Sequence, residues 1–267
     1  IKPDVMALGN GNFVASPGAG NTGYTSGSGT SFSCPMTAGA CAVILSANPS
    51  LTPMQVLQLL KQTADSTLTP NRLRGWGLIN CWEAVKLAKP KTLNLTMLIE
   101  GFYDSIANTL TGDTVNVYIR NNSSPFAIVD SARAKLNSAG IAALKFSNVT
   151  NGINYYLEIT HRNGLETWSK TPQSFTSNVM TYDFSTDSAK AFGNNLKHSG
   201  SRWVIYEGDV NQNGVVELSD IILISNNATL FVTGYNITDV NGNNVTDLND
   251  IILALNNSSN FVSVKKP

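Results

Sequence analysis

The pattern of apolar and polar residues predicts helices at the beginning of the chain. An apolar, alanine-rich stretch at residues 36–46 predicts one helix, and residues 52–55 carry a threonine, a proline and a glutamine that suit the start of a second. Residues 75–79 predict a short strand, and Asn80 with Glu83 predicts the cap of a last helix. This alternation is typical of the end of an α/β domain.

Beyond an expected linker at residues 89–91, the apolar residues alternate with polar ones. Residues 93–99, 113–119, 143–146 and 155–161 all follow this period of two, and turn signals such as Asn151-Gly152 separate them. The pattern predicts a small antiparallel β-sandwich. Residues 130–161 loosely resemble the prealbumin-like or carboxypeptidase-regulatory-like modules that follow many secreted enzymes.

The last sixty residues contain an internal duplication. Residues 209–220 align with residues 239–250 at a spacing of thirty, and the similarity continues through Ile221-Ile222-Leu223 and Ile251-Ile252-Leu253. Each copy predicts a twelve-residue loop followed by a helix.

Each loop has oxygen-bearing side chains at positions one, three, five, nine and twelve, and a backbone carbonyl at position seven. Ca²⁺ takes six to eight oxygen ligands at such spacing, with a glycine at position six for the sharp turn. Gly214 fits this position, and Asn244 replaces it with a residue that tolerates the left-handed conformation. Between Glu207 and Val264 there are seven acidic residues and no lysine or arginine, so a divalent cation would relieve carboxylate repulsion. A pair of turns without metal is the alternative.

Position twelve is aspartate, where an EF-hand has glutamate, and with this change the duplication resembles a dockerin module. The resemblance implies calcium as the cofactor and a cohesin-like scaffold protein as a partner. Leu218-Ser219 and Leu248-Asn249 would contribute to partner choice, and their difference argues against a symmetric, two-way binding mode. The implied calcium ligands are Asp209, Asn211, Asn213, Val215, Glu217 and Asp220 in the first loop, and Asp239, Asn241, Asn243, Val245, Asp247 and Asp250 in the second.

A serine motif, Gly29-Thr30-Ser31-Phe32-Ser33-Cys34-Pro35, precedes the first predicted helix. Small residues before Ser31 expose its hydroxyl, and the start of a helix favours a developing oxyanion. Pro35 is expected in the first turn. Together with residues 1–9 and 75–80, the motif resembles the subtilisin-like serine proteases. The resemblance implies that Ser31 is the acylated nucleophile, that its N–H contributes to the oxyanion site, and that the substrate is a polypeptide.

The same resemblance implies that two catalytic groups are missing. A nucleophilic serine of this kind needs a histidine and an orienting acid, which precede the serine in this family. No histidine precedes Ser31, and His161 and His198 lie far downstream. We therefore expect a C-terminal piece of a protease domain without activity of its own. The alternatives are a calcium-dependent attachment module of an extracellular protein and a non-catalytic protease homologue.

Composition restricts the partners further. The formal net charge is zero, which gives no reason to expect nucleic acid or an anionic membrane surface. No apolar run approaches the ~20 residues of a membrane span. Only 13% of the residues are charged, as is common in proteins that are secreted or displayed at the cell surface. The thiols of Cys34, Cys41 and Cys81 are expected to be small buried groups, with a bridge involving Cys81 left open.

Two further features are expected to have no function. His161, Arg162, Glu166 and Trp168 form a polar-aromatic cluster at a strand end, which we interpret as solvated side chains rather than a binding site. His198 is expected to be a surface residue.

The sequence therefore predicts a multidomain chain in three pieces. Residues 1–89 would form a truncated α/β subtilisin-like domain, residues 92–200 an antiparallel β-sandwich, and residues 203–267 a small α-helical, EF-hand-like duplication of dockerin type.

Overall fold

The structure, a computed structural model, describes residues 1–16 and 23–267. It divides into two compact units, Ile1–Pro90 and Lys91–Pro267. The division falls within the expected linker. The segments predicted as β-sandwich and as duplication lie together in the second unit.

The first unit combines a short hairpin with three helices. The hairpin pairs β1 (Asn12–Ala15) with β2 (Tyr24–Gly27) in antiparallel register. The helices are α1 (Thr30–Ala47), α2 (Pro53–Thr63) and α3 (Cys81–Ala88). Their packed core consists of Ala40, Ile44, Val56, Leu60, Ala84 and Ala88.

The predicted caps of α2 and α3 are confirmed. The Thr52 hydroxyl accepts a hydrogen bond from the Gln55 N–H, and the Gln55 side chain accepts one from the Thr52 N–H. This reciprocal pair satisfies two N–H groups that a helix start leaves without partners. Asn80 caps α3 by accepting from the Glu83 N–H.

Helix α1 begins earlier than the sequence predicts. It starts at Thr30 rather than near residue 36, with Gly29 as its N-cap at φ 141°. Pro35 therefore lies in the second turn, and the expectation of a first-turn proline is wrong. Because proline has no N–H, the Ser31 carbonyl has no helical donor at this position.

The strand predicted at residues 75–79 is not formed. This segment makes only isolated bridges, a parallel one between Met6 and Leu78 and an antiparallel one between Asn71 and Gly75. Gly75 and Gly77 have φ values of 58° and 100°, and an extended strand excludes both. The parallel bridge nevertheless holds the segment against the beginning of the chain, with the Met6 N–H 2.8 Å from the Gly77 carbonyl oxygen.

The second unit contains two larger β-sheets around the largest core, together with two short two-stranded sheets. Its strands are β3 (Lys91–Thr96), β4 (Tyr103–Asp104), β5 (Thr109–Leu110), β6 (Thr114–Asn121), β7 (Ile128–Lys135), β8 (Ile141–Phe146), β9 (Asn154–His161), β10 (Thr167–Trp168), β11 (Gln173–Ser174), β12 (Val179–Asp183), β13 (Lys197–Ser199) and β14 (Arg202–Val204). One sheet has the order β10-β9-β6-β7, with β11 also on β9, and the other has the order β12-β3-β8. Buried residues of both sheets, such as Leu93, Val117 and Leu157, share one cluster.

One pairing differs from the predicted antiparallel sandwich. Strand β12 lies parallel to β3, whereas β8 lies antiparallel on its other side. A hairpin turn imposes antiparallel pairing, but strands joined by a long connection can pair in either direction. More than eighty residues separate β3 from β12, so the alternation of side chains within each strand did not fix this direction.

The duplicated segment forms two loop-and-helix repeats in the same unit. Helices α4 (Leu218–Thr229) and α5 (Leu248–Ser259) follow the two twelve-residue loops. They pack on each other around Val210, Ile224, Val240 and Ala254. These residues occupy equivalent positions in the two copies, so the two repeats build one joint core.

Candidate functional site

Ser31 lies at the second position of α1, in the first turn, and its side chain is exposed. The Gly29 N–H donates to the Gly9 carbonyl oxygen at 2.6 Å, which fixes the serine motif against the first residues of the chain. Since Met6 bridges to Leu78, the structure brings together the three segments that carry the protease resemblance.

The first unit contains no imidazole to act on Ser31. Its ninety residues include no histidine, and His161 and His198 both belong to the second unit. A hydroxyl at a helix start has N–H groups near it, but a base must remove its proton before it attacks a carbonyl. This unit therefore contains an exposed serine hydroxyl but no imidazole to activate it.

A cavity of about 1170 Å³ opens beside α1. Its wall includes Thr30, Ser33, Thr37 and Cys41, and Ser31 is not among the residues that line it. Cys34 borders it and is exposed, so the expectation of a buried thiol is wrong for this residue.

The apolar surface of α1 is largely uncovered. Met36, Val43 and Leu45 are exposed large hydrophobic residues. By length and composition alone, this 18-residue helix could cross a membrane, contrary to the expectation that no apolar segment is long enough. The serine motif at its start and its packing on α2 and α3 favour a helix of a folded domain.

The aspartate side chains at positions one and twelve of each loop point inward and accept hydrogen bonds from backbone N–H groups of the same loop. In the first loop, Asp209 accepts hydrogen bonds from the N–H groups of Asn213 and Gly214, both at 3.0 Å. Asp220 accepts from those of Asn211 at 3.1 Å and Glu217 at 3.0 Å.

The second loop repeats this pattern. Asp239 accepts from the N–H groups of Asn243 and Asn244 at 3.1 and 3.2 Å, and Asp250 from those of Asn241 and Asp247 at 3.0 and 2.8 Å. Position six is left-handed in both loops, with φ 88° at Gly214 and φ 67° at Asn244, as the sequence predicts.

The loop carboxylates are buried close to each other. Burial raises the pKa of Asp209 to about 6, and the charge of Asp220 adds to this effect. Burial likewise raises the pKa of Asp250, with a smaller contribution from the charge of Asp239. A divalent cation removes such repulsion.

The donor set of the loops fits a hard cation. Among the residues that the structure describes, no group of three or more His, Cys, Asp or Glu side chains forms a metal-binding cluster. The loops instead combine carboxylate, amide and carbonyl oxygens, which is the mixture that Ca²⁺ prefers.

A buried charged cluster at the end of β9 corrects the expectation of solvated side chains there. His161 is only 1% exposed. Its Nδ1 lies 3.1 Å from Glu207 Oε1, and its Nε2 lies 3.2 Å from Asp113 Oδ2. Burial lowers the pKa of His161, but the charge of Glu207 and the adjacent Asp113 carboxylate outweigh it and raise the pKa to about 9.

Arg162 belongs to the same charged cluster, whereas Trp168 does not. Arg162 donates from Nε to Asp113 at 2.8 Å, and the buried Trp168 donates to Glu166 at 2.5 Å. Sequence reasoning missed the cluster because Asp113 and Glu207 are both more than forty residues from His161. The available signal was a histidine-arginine pair that directly follows an apolar strand.

Comparisons with known proteins bear on the first unit. The model of the subtilase family matches residues 1–77. Over 65 residues the chain is 49% identical to a probable subtilase-type serine protease of Deinococcus radiodurans. The aligned stretch covers 22% of this chain and 9% of that protein. These matches make residues 1–77 similar in sequence to subtilisin-like serine proteases. This segment is subtilisin-like, and the match spans less than a tenth of the length of its curated relative.

Solved structures show weaker likenesses. An interface mutant of a type II Cohesin-X-Dockerin complex from Acetivibrio cellulolyticus is 18% identical, with a TM-score of 0.39, over 63% of this chain and 95% of that chain. Fervidolysin from Fervidobacterium pennivorans, described as a keratinolytic enzyme related to subtilisin, is 18% identical, with a TM-score of 0.27, over 67% of this chain and 32% of that one. Likenesses at this level carry no argument about function.

Proposed function

We propose that the first unit is the C-terminal part of a secreted subtilisin-like serine endopeptidase, with Ser31 as the nucleophile. The observation that carries this proposal is the exposed Ser31 in the first turn of α1, in a motif fixed against residues 1–9. The match of residues 1–77 to the subtilase family supports it.

In this reaction the Ser31 Oγ attacks the carbonyl carbon of a peptide bond. Its proton passes to an imidazole, and the N–H groups at the start of α1 donate to the oxyanion. The C–N bond then breaks as the imidazolium gives its proton to the leaving amine, and water hydrolyses the acyl-enzyme that remains on Ser31. Because the first unit supplies no imidazole, it is expected to be inactive alone.

The uncovered surface of α1 supports the need for a second polypeptide segment. A folded soluble domain rarely exposes a contiguous apolar patch of this kind. Met36 and Val43, seven residues apart, are exposed on one face of a helix of which Ala40 and Ile44 are buried in the core of the unit. We propose that the segment that carries the histidine and the acid of the same domain covers this face.

Labelling with a fluorophosphonate tests this proposal. The chain alone should not be labelled at Ser31 above the background of the Ser31→Ala variant. A longer form of the protein that includes an upstream histidine and acid should be labelled, and the matched variant Ser33→Ala should keep the labelling. Equal labelling of the longer form and its Ser31→Ala variant would instead favour the non-catalytic homologue.

We propose also that the two repeats bind calcium and that the second unit is a calcium-dependent attachment module. In each loop, six groups would hold the ion. They are the carboxylates at positions one and twelve, the amides at positions three and five, the backbone carbonyl at position seven and the acidic side chain at position nine. When bound, calcium supplies positive charge between the carboxylates. The residues themselves orient their oxygens through the N–H hydrogen bonds of each loop.

Calorimetric titration with Ca²⁺ measures the two sites. The full chain should bind two ions, and Asp220→Asn and Asp250→Asn should each remove one. Absence of binding to the full chain would contradict the calcium proposal.

The exposed apolar residues of α4 and α5 support a protein partner. Leu218 and Ile222 on α4, and Leu248 and Ile252 on α5, occupy equivalent positions and are exposed. The resemblance to dockerins makes a cohesin-like scaffold protein the expected partner, at the cell surface or outside the cell. Binding to a panel of purified cohesin modules should require calcium and should weaken in the double variant Leu218→Asp, Leu248→Asp. Failure of every cohesin to bind would remove the attachment proposal and leave calcium binding intact.

A further inference from the structure

The β-sandwich contacts the two calcium loops unequally. Arg162 is nearly buried, and its Nη2 lies 3.4 Å from Oδ2 of Asp239, the first position of the second loop. Within the described part of the chain, no lysine or arginine pairs with Asp209, the equivalent residue of the first loop. The first loop has a neutral contact, in which Gln212 donates to the Gly164 carbonyl oxygen at 3.2 Å.

Two more contacts hold the second repeat. The Asn163 side chain donates to the Asp239 carbonyl oxygen at 2.7 Å. The backbone at Gly242 approaches the Phe102 ring so closely that an ideal Cβ would lie 2.3 Å from a ring carbon. Asn163 and Phe102, which lie outside the repeats, therefore both contact the second loop.

The helices show the same inequality. In α5, Asn257 donates to the Glu100 carboxylate at 2.6 Å and to the Glu207 carbonyl oxygen at 2.8 Å. The equivalent Asn227 in α4 donates to the Thr238 hydroxyl at 2.8 Å, which is a contact within the repeats. Through the Glu100 carboxylate, the second repeat is therefore anchored to the sandwich by a hydrogen bond that the first repeat does not share.

We propose that Arg162 is a counter-ion for the second loop, so that the two calcium sites are unequal. The guanidinium offsets the charge of Asp239 in the metal-free protein, and the second loop keeps its shape without calcium. The same positive charge opposes an arriving cation, because like charges a few ångströms apart repel strongly where water is excluded. The second loop therefore binds calcium more weakly than the first. This inference rests on the proposed calcium function.

Calcium titration of the full chain in two backgrounds tests the inference. Asp220→Asn leaves the second site for measurement, and Asp250→Asn leaves the first. Arg162→Gln should tighten the second site by about fivefold or more and leave the first within about twofold. Arg162→Lys keeps the positive charge and should leave the second site near its original affinity. In calcium-free protein, with a chelator present, Arg162→Gln should also lower the urea midpoint for unfolding of the second unit.

The directions of these two changes, tighter calcium binding and lower calcium-free stability, distinguish a counter-ion from a merely structural residue. If Arg162 only supported the fold, Arg162→Gln would weaken calcium binding and stability together, and this outcome would overturn the inference. Two sites of equal affinity that ignore Arg162→Gln would overturn it as well, while the calcium proposal would stand. No calcium binding at all would overturn both.

Hydrogen exchange on the unaltered chain gives a second measurement that needs no variant. In chelator, the amides of residues 239–250 should exchange more slowly than those of residues 209–220. Calcium should protect mainly the first loop. Equal exchange of the two loops without calcium would contradict the inference.

Discussion

The buried charge on His161 makes the stability of the second unit depend on pH. Its two ring nitrogens lie beside the carboxylates of Glu207 and Asp113, so the protonated ring is the form that the fold favours. The folded pKa is raised from 6.5 to about 9. Between these two values the folded state binds more protons than the unfolded state, so the free energy of unfolding falls as the pH rises.

The magnitude follows from the size of this shift. Each pKa unit corresponds to about 1.4 kcal/mol, so the rise of His161 to about 9 is equivalent to about 3 kcal/mol. This stabilisation is fully present below the unfolded pKa and is lost as the pH passes the folded one. Burial also raises the pKa of Glu207 to about 7, which acts in the same direction at lower pH. The interval above pH 7 therefore isolates His161.

Urea unfolding of the full chain at constant calcium, followed by tryptophan fluorescence and circular dichroism, measures the effect. The midpoint of the second unit should fall steadily from about pH 7 to about pH 9.5. His161→Gln should remove most of this slope. His198→Gln is the matched control, because His198 is exposed, and it should keep the slope. An NMR titration that places the pKa of the His161 ring at or below 6.5 would refute the reasoning.

Three further outcomes are expected. Gly242→Ala should lower the free energy of unfolding of the second unit by about 3 kcal/mol, because the added Cβ would overlap Phe102 and residue 242 has φ 74°. The control Gly234→Ala, at φ 88° with open space around it, should cost about 1 kcal/mol. Equal costs would contradict the close approach of Gly242 to Phe102. Asn257→Ala should destabilise by about 2 kcal/mol and Asn227→Ala by less, as measured by urea unfolding; the reverse order would argue against the anchor. Chelation should lower the unfolding temperature of the second unit in calorimetry, and an unchanged temperature would contradict calcium-dependent stability.

Features that depend on neighbours in sequence were predictable. The capping box of Thr52 and Gln55, and the cap formed by Asn80, need only residues three apart, and both are confirmed. The left-handed Asn244 follows from its place in a twelve-residue loop. The two loop-and-helix repeats follow from a duplication that is visible in the amino-acid sequence. Local chemistry determines each of these features, so a single sequence contains the information.

Features that depend on distant partners were not predictable. His161 is flanked by polar residues, as a solvated strand end would be, and only the fold shows that Asp113 and Glu207 enclose it. The direction of β12 is set by a neighbour in the sheet and not by its own alternation. Gly75 and Gly77 adopt positive φ where an apolar run suggested an extended strand, because glycine permits both conformations.

The parallel pairing of β12 with β3 has a mechanical consequence. Strand β3 begins at Lys91, directly after Pro90, and is the central strand of its sheet. Tension that reaches the second unit through Pro90 pulls along β3, whose hydrogen bonds to β8 and β12 run across the direction of pull. These bonds must yield together in shear rather than one after another, so the second unit is built to withstand traction from its amino-terminal side.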